Sequence, residues 1–261
     1  MFADTHAHLQ SEEFDPDREK IIGDMSSEGI SFIINMSSDI KDSHVVSEMS
    51  RNFDNVYGMV GVHPHESKDV TENYLNEIEE LLNNNPKILG IGEIGLDYHF
   101  NLSPVADQKR VFREQLSLAK KLNVPVSIHV RDAYDDAYKI LCLPEIPERK
   151  GVIHAFSGDS NWAAKFVNLG FLLGIGGPLT YKKNQHIRDA VKTVGLKNIV
   201  TETDCPYLPP VPLRGKRNEP SYIKYVLNTL EDIFCTPRTE IENILLGNAT
   251  KLFKIVDKSS T

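Results

Sequence analysis

The chain has 261 residues, a formal net charge of −8 and a hydrophobic fraction of 40%. This length is enough for one large α/β domain, and the acidic charge argues against broad, charge-driven binding to nucleic acid or to a membrane surface. Three widely spaced cysteines argue against a disulfide framework or a zinc ribbon and indicate a reduced, cytoplasmic location. We expect no signal peptide, no membrane span and no obligate protein partner.

Short apolar runs alternate with amphipathic stretches along the chain. The predicted strands are 2–8, 31–36, 56–62, 88–94, 125–130, 151–155, 171–175 and 198–202. The predicted helices are 17–28, 40–51, 72–82, 105–122, 132–141, 160–169, 186–194, 221–234, 238–246 and 249–255. The strands are rich in β-branched and other apolar residues, which is typical of parallel strands covered on both faces.

This alternation, within about 250 residues, is typical of a (β/α)8 TIM barrel. A doubly wound sheet would show the same alternation but would leave open edges. The candidate ligands described below favour the barrel, because only a closed barrel brings the ends of all their strands to one mouth. We therefore predict a single TIM-barrel domain over 1–261, of the metal-dependent hydrolase type. The irregular segment 206–220 follows the last strand and is expected to lie over the mouth.

A His-x-His pair opens the chain on the first predicted strand. His6 and His8 point to the same face of an extended strand, so their imidazoles lie side by side, as a metal site requires. Four further candidate ligands lie near the ends of later apolar runs: Glu93, His129, His154 and Asp204. Glu93 can bridge two cations through its two oxygens. Asp204 is favoured over Glu202 as ligand and general base because it lies nearer the carboxyl end of its strand, and Glu202 is expected to hold a histidine ligand.

Other residues are candidates for contact with the substrate. His63 and His65 form a second His-x-His pair, interpreted as substrate contacts or proton donors because a site ligated by every one of these histidines would be overcrowded. Arg131 is either a phosphate clamp or a structural ion-pair partner. Asp132 is expected to cap the following helix. The basic cluster that includes Arg217 indicates an anionic substrate, or otherwise a solvated loop.

Short motifs spread along the chain resemble, in order, the TatD family of metal-dependent deoxyribonucleases. They are Asp-Thr-His-Ala-His-Leu at 4–9, Gly-Val-His-Pro-His at 61–65, Gly-Glu-Ile-Gly-Leu-Asp-Tyr at 92–98, Ile-His-Val-Arg-Asp-Ala at 128–133, His-Ala-Phe-Ser-Gly at 154–158 and Glu-Thr-Asp-Cys-Pro-Tyr-Leu at 202–208. The resemblance implies an amidohydrolase-type barrel that cleaves DNA phosphodiesters, commonly as a 3′-to-5′ exonuclease. It also implies metal ligation by His6, His8, Glu93, His129, His154 and Asp204, with Glu93 as the bridge and Asp204 as the residue that activates water.

The leading hypothesis is therefore hydrolysis of DNA by two divalent cations, about 3.5–4 Å apart, that clamp the attacking and leaving oxygens. The mixed nitrogen and oxygen donors allow Zn, Mn, Co or Mg. Contacts with DNA are expected to be weak and local, from His63, His65, Arg131 and Arg217. Two alternatives stay open. One is a metal-dependent hydrolase of small esters, lactones or amides, and the other is a noncatalytic metal-bound scaffold.

Overall fold

The computed structural model describes residues 1–144 and 146–255, which contain eight strands and nine α-helices. The strands are β1 (Phe2–Ala7), β2 (Ile30–Met36), β3 (Val56–Val60), β4 (Ile88–Asp97), β5 (Val126–Arg131), β6 (Gly151–Ile153), β7 (Leu172–Ile175) and β8 (Ile199–Thr201). The helices are α1 (Arg18–Asp24), α2 (Ile40–Asn52), α3 (Tyr74–Asn84), α4 (Val105–Leu122), α5 (Tyr134–Leu141), α6 (Ser160–Asn168), α7 (Gln185–Val194), α8 (Ile223–Phe234) and α9 (Arg238–Phe253). Within the described ranges, none of these helices combines the length and apolarity that crossing a bilayer requires.

All eight strands belong to one sheet, in the order β1 to β8. The pairs β3–β4, β4–β5, β5–β6 and β7–β8 run parallel, and a parallel bridge from Ala7 to Cys205 joins the end of β1 to the segment after β8. Because the first strand meets the last, the sheet has the closed order of a (β/α)8 TIM barrel rather than the open edges of a doubly wound sheet. The predicted fold class is confirmed.

The predicted elements agree with the structure except at several ends. β4 continues through Asp97, beyond its predicted end at residue 94. The helices predicted at 238–246 and 249–255 are the single helix α9, and within it the Asn248 side chain donates to the carbonyls of Leu196 and Ile199. Residues 145 and 256–261 of the predicted single domain lie outside the described residues.

Contacts divide the described chain into two compact units. The first unit comprises Met1–Ile33, Ala155–Val167 and the chain from Leu172 onward, and the second comprises Ile34–His154 with Asn168–Phe171. In the first unit α9 packs on β1 and β8. The buried side chains of α9 recur at four-residue intervals, which is the spacing of one helical face: Ile241, Leu245, Ala249 and Phe253.

In the second unit α4 covers β4 with the apolar stripe that its sequence predicts. Phe112, Leu116 and Ala119 are buried on this stripe. Beneath the helix, β4 pairs with β5 so closely that Gly95 lies opposite His129. Gly95 has φ 144°, and a Cβ there would clash with the His129 carbonyl, so this approach requires glycine. The glycine thereby fixes where His129 emerges from the sheet.

Two buried glutamines on α4 bind the backbone at the ends of strands. The side-chain oxygen of Gln115 accepts from the Val62 N–H at 2.8 Å, and its amide nitrogen donates to the Val62 carbonyl at 3.0 Å. Gln108 binds Asp97 in the same way, at 2.8 and 3.1 Å. Buried backbone groups require such partners, so the glutamines stabilise the backbone next to the candidate site.

Replacement of Gln115 by methionine tests this contact. Gln115→Met keeps the volume but leaves the N–H and carbonyl of Val62 without their buried partner, so we expect the free energy of unfolding to fall by about 1–3 kcal/mol. Urea denaturation measures the change. Ser117→Ala, on the exposed face of the same helix, is the control and should change stability by no more than about 0.5 kcal/mol. Equal losses in the two variants would contradict the assignment.

Candidate metal centre

His6, His8 and Asp204 converge in the first unit. The Nε2 atoms of His6 and His8 are 3.3 Å apart. Asp204 Oδ1 lies 3.8 Å from Nε2 of His6 and 3.5 Å from Nε2 of His8. Ligands held tetrahedrally at about 2.0–2.2 Å from a cation are about 3.3–3.6 Å from one another. Two of the three separations lie in this range and the third, 3.8 Å, is slightly longer, so the group is a candidate site for a single divalent ion.

The turn after β8 carries Asp204 to the two histidines. The Asp204 N–H donates to the His6 carbonyl at 2.9 Å, and the His8 N–H donates to the Cys205 carbonyl at 2.8 Å. Asp204 itself has φ 59°, a left-handed conformation that Asp adopts more readily than most residues. Pairing between β1 and this turn therefore brings together candidate ligands that are almost 200 residues apart in the sequence.

A buried carboxylate, Asp4, supports the same turn. Asp4 Oδ1 accepts from the Thr203 N–H at 2.9 Å and from the His6 N–H at 3.3 Å, and Oδ2 accepts from the Thr203 hydroxyl. Burial raises the pKa of Asp4 to about 7. No role for Asp4 was predicted from the sequence. Its signal was the two-residue spacing from His6, which places the two side chains on one face of the strand.

Glu202 lies behind this group. It is buried, and its Oε1 accepts from the Ala155 N–H at 2.6 Å. A Cβ on Gly174 of β7 would clash with the Glu202 carboxylate, so the neighbouring strand leaves room for the side chain. The contact of Glu202 with a histidine ligand stays a prediction.

In the second unit, three histidine rings surround Glu93. Glu93 Oε1 lies 2.8 Å from Nδ1 of His129, 3.5 Å from Nε2 of His63 and 3.6 Å from Nε2 of His154. His63, Glu93 and His129 each offer a ligand atom within 4.8 Å of the others. Imidazole nitrogens next to a carboxylate are donors that suit Zn, Mn or Co. Glu93, His129 and His154 therefore form a second candidate ligand set, in which Glu93 and His129 stand at hydrogen-bond distance.

His63 differs from its neighbours in the position of its ring proton. Its Nδ1 accepts from the His65 N–H at 3.2 Å, so a neutral ring carries the proton on Nε2, the nitrogen nearer Glu93. Burial lowers the pKa of His63 to about 4, so the ring is neutral near pH 7. A protonated nitrogen donates a hydrogen bond instead of ligating a metal. This agrees with the interpretation of His63 as a substrate contact, which stays a prediction.

Asp97 is a second buried carboxylate for which no role was predicted from the sequence. Its Oδ2 lies 3.0 Å from Nε2 of His129 and 3.1 Å from Nε2 of His65, and its Oδ1 accepts from the Phe100 N–H at 2.8 Å. Because Asp97 binds Nε2 of His129, Nδ1 is the nitrogen left for a metal ion. Carboxylates that hold a ligand histidine by its other nitrogen fix both its orientation and its tautomer.

The charges around Asp97 support its role in orienting the His129 ring. Burial alone would raise the pKa of Asp97, but the hydrogen bonds from His129 and Phe100, together with the nearby His65 ring, hold it well below its usual range. For His129, burial lowers the pKa, but Asp97 and Glu93 together raise it above its ordinary value. The sequence did contain an indication of this role. Asp97 follows Glu93 by four residues on the same strand, and this even spacing places both side chains on the same face.

Arg131 and Asp132 follow β5 at the edge of this group. The Arg131 side chain is exposed, and its guanidinium lies over the Phe100 ring, 4.6 Å from the centroid. The expectation that Asp132 caps α5 is wrong. Ala133 occupies the N-cap position and no side chain caps the helix. Asp132 has φ 53°, and its carboxylate instead lies 3.1 Å from Nδ1 of His99.

Arg217 is held by contacts within the first unit. Its guanidinium donates to Asp17 at 2.8 and 2.7 Å and to Glu219 at 3.0 Å, and it lies over the Phe14 ring, 4.5 Å from the centroid. The carboxylates raise the pKa of Arg217, and the Arg217 hydrogen bond lowers the pKa of Asp17. The guanidinium therefore anchors segment 206–220, and its contact with substrate stays a prediction.

Comparison with known proteins places the chain in a family. The family described as TatD related DNase matches residues 3–254. A Bacillus subtilis protein named "Uncharacterized metal-dependent hydrolase YabD" is 40% identical over 255 residues, which are 98% of this chain and 100% of that protein. The crystal structure of YjjV, a TatD homologue from Escherichia coli K12, superposes with a TM-score of 0.92 at 30% identity and covers 98% of both chains. A TatD family hydrolase from Entamoeba histolytica shares the fold, with a TM-score of 0.85 at 24% identity over 97% of both chains.

The barrel and its clustered histidines and carboxylates are those of a metal-dependent hydrolase. The chain belongs to the TatD related DNase family. The resemblance predicted from its motifs is thereby confirmed.

Replacement of Asp97 by asparagine tests its hold on His129. Asp97→Asn can still accept from the Phe100 N–H but loses the charge that orients the ring, so we expect affinity for Zn²⁺ or Mn²⁺ to fall about 10- to 100-fold. Competition with a chromogenic chelator measures the affinity. Asp132→Asn is the matched control, because Asp132 also lies beside a histidine but on the surface. Unchanged affinity in Asp97→Asn, with native circular dichroism, would show that Asp97 does not orient a ligand.

Proposed function

We propose that this chain hydrolyses phosphodiester bonds of DNA with two divalent metal ions. The observation that carries the proposal is the presence of two groups of converging nitrogen and oxygen donors, one in each unit, in a chain that belongs to the TatD related DNase family. Both groups lie at the carboxyl ends of parallel strands, and in a TIM barrel these ends form the active-site face. We therefore propose that each group binds one divalent ion.

The ligand assignment follows the two groups. His6, His8 and Asp204 would hold one ion, and Glu93, His129 and His154 would hold the other. When bound, the cations would lower the pKa of a coordinated water and neutralise negative charge on the phosphate. Zn, Mn, Co and Mg are all compatible with the donor set.

The side chains then divide the remaining work. Asp204 takes the proton of the attacking water, and its side chain, 15% exposed, is accessible to solvent. His63 donates a hydrogen bond through its protonated Nε2 to a phosphate oxygen, because its Nδ1 accepts from the His65 N–H and leaves the proton on Nε2. Arg131, His65 and Arg217 are proposed to position the substrate. Because the net charge is −8, we expect the protein to contact DNA only near these residues and not over a broad surface. We propose that the protein acts in the cytoplasm as a 3′-to-5′ exonuclease.

Metal-dependent cleavage of single-stranded DNA tests the proposal. Protein treated with chelator should lose activity, and Mn²⁺, Co²⁺, Zn²⁺ or Mg²⁺ should restore it. Asp204→Asn should lower the rate about 100- to 10,000-fold, because proton transfer from the water is lost. A 3′-labelled strand should release labelled mononucleotide, whereas a 5′-labelled strand should give a ladder.

The controls separate the rival functions. Asp189→Asn changes an exposed carboxylate on α7 and should keep full activity. Turnover of small esters, lactones or amides without phosphodiester cleavage, under any of the four metals, would overturn the proposal in favour of a small-molecule hydrolase. Stabilisation by metal without turnover of either substrate class would indicate a noncatalytic scaffold.

A further inference from the structure

Phe100 is an exposed aromatic side chain fixed next to the candidate metal centre. It lies in the loop after β4 and is 53% exposed. Single exposed apolar residues are common, so exposure alone means little. Phe100 is distinguished by its anchorage, because its N–H donates to Asp97, the carboxylate that also binds His129. The Asp97 carboxylate therefore binds both the backbone of Phe100 and the side chain of His129, a proposed metal ligand.

The surroundings of the Phe100 ring are cationic and aromatic. The Arg131 guanidinium lies over the ring at 4.6 Å, and the His65 ring meets it edge to face, with centroids 5.6 Å apart and an interplanar angle of 87°. More than half of Phe100 stays exposed in spite of these neighbours. Arg131 has no carboxylate at ion-pair distance within the described residues, so its charge is available to a ligand.

This combination of groups suits an unpaired nucleobase. Bases stack on aromatic rings and on guanidinium planes, and they do so with little dependence on sequence, because every base has a π-face. A base inside a duplex is stacked on its neighbours and cannot reach such a surface without leaving the helix. An arginine beside the ring adds attraction to the phosphate backbone.

We propose that Phe100 and Arg131 form a stacking platform for an unpaired base of the DNA strand, next to the phosphate at the metal centre. The platform rests on the proposed nuclease function and deepens it, because it selects single-stranded DNA or frayed ends over intact duplex. Arg131 is the phosphate contact of this platform, and Phe100 is its stacking surface.

Equilibrium binding tests the platform separately from catalysis. Fluorescence anisotropy of labelled oligonucleotides on the metal-loaded protein at low temperature would compare a normal strand with strands that carry an abasic position, placed in turn at each 3′-terminal nucleotide. Phe100→Ala should weaken binding of the normal strand about 5- to 100-fold, and Phe100→Trp should preserve it. Both variants should bind the strand that is abasic at the stacked position as the wild type does.

Leu102 provides the matched control. It lies in the same loop and is 55% exposed, so Leu102→Ala removes a similar apolar surface without an aromatic ring. This variant should bind the normal strand as tightly as the wild type. Arg131→Ala should weaken binding of normal and abasic strands alike and lower the salt dependence of the binding constant by about one unit of slope.

The outcomes separate this inference from the proposed function. Equal weakening of the normal and abasic strands by Phe100→Ala, or an equal effect of Leu102→Ala, would overturn the stacking role. No binding of single strands by the wild type would overturn it as well. Base-dependent binding that requires Phe100, in a protein that cleaves no phosphodiester, would support the platform and reject the nuclease proposal.

Discussion

The contact between Asp97 and His129 is the interaction on which the second group of ligands depends. Two elements make it possible. β4 continues far enough to place Asp97 beside the histidine, and Gly95 lets β4 approach β5 without a clash. The carboxylate then binds Nε2 of His129 and leaves Nδ1 directed to Glu93. Asp97 also binds the Phe100 N–H, so the orientation of a proposed ligand and the position of an exposed ring depend on the same buried charge.

The first group of candidate ligands depends on pairing between the first strand and the segment after the last strand. Asp4 binds the backbone and the hydroxyl of Thr203, and the Asp204 N–H binds the His6 carbonyl. A barrel whose first strand lies beside its last brings residues that are distant in sequence to the same rim. The histidines of β1 and the carboxylate after β8 therefore form a candidate site for a single divalent ion. In both groups a buried aspartate behind the ligands holds the arrangement in place, which is the usual way in which proteins preorganise a site.

Much of this arrangement was predictable from local patterns. The alternation of apolar runs with amphipathic stretches predicts the barrel, because strand and helix periods are properties of the local chain. His6 and His8 were predictable as a pair because an extended strand turns every second side chain to one face. The capping role predicted for Asp132 was wrong because capping depends on the backbone conformation of the residue, and the residue types alone do not specify it. Asp132 has φ 53°. Arg217 shows the same limit, because its carboxylate partners Asp17 and Glu219 become neighbours only in the folded chain.

The sequence by itself determined the fold class and the family, and it supplied the candidate metal ligands, because periodicity, motif order and side-chain chemistry are all readable along one dimension. Only the tertiary structure decided which nitrogen of each histidine is available. Asp97 occupies Nε2 of His129, and the His65 N–H occupies Nδ1 of His63. The reason is that hydrogen bonds between side chains on different strands depend on register and approach distance. Strand register and the distance between strands are set by packing across the sheet, and the spacing of residues in the sequence indicates them only weakly.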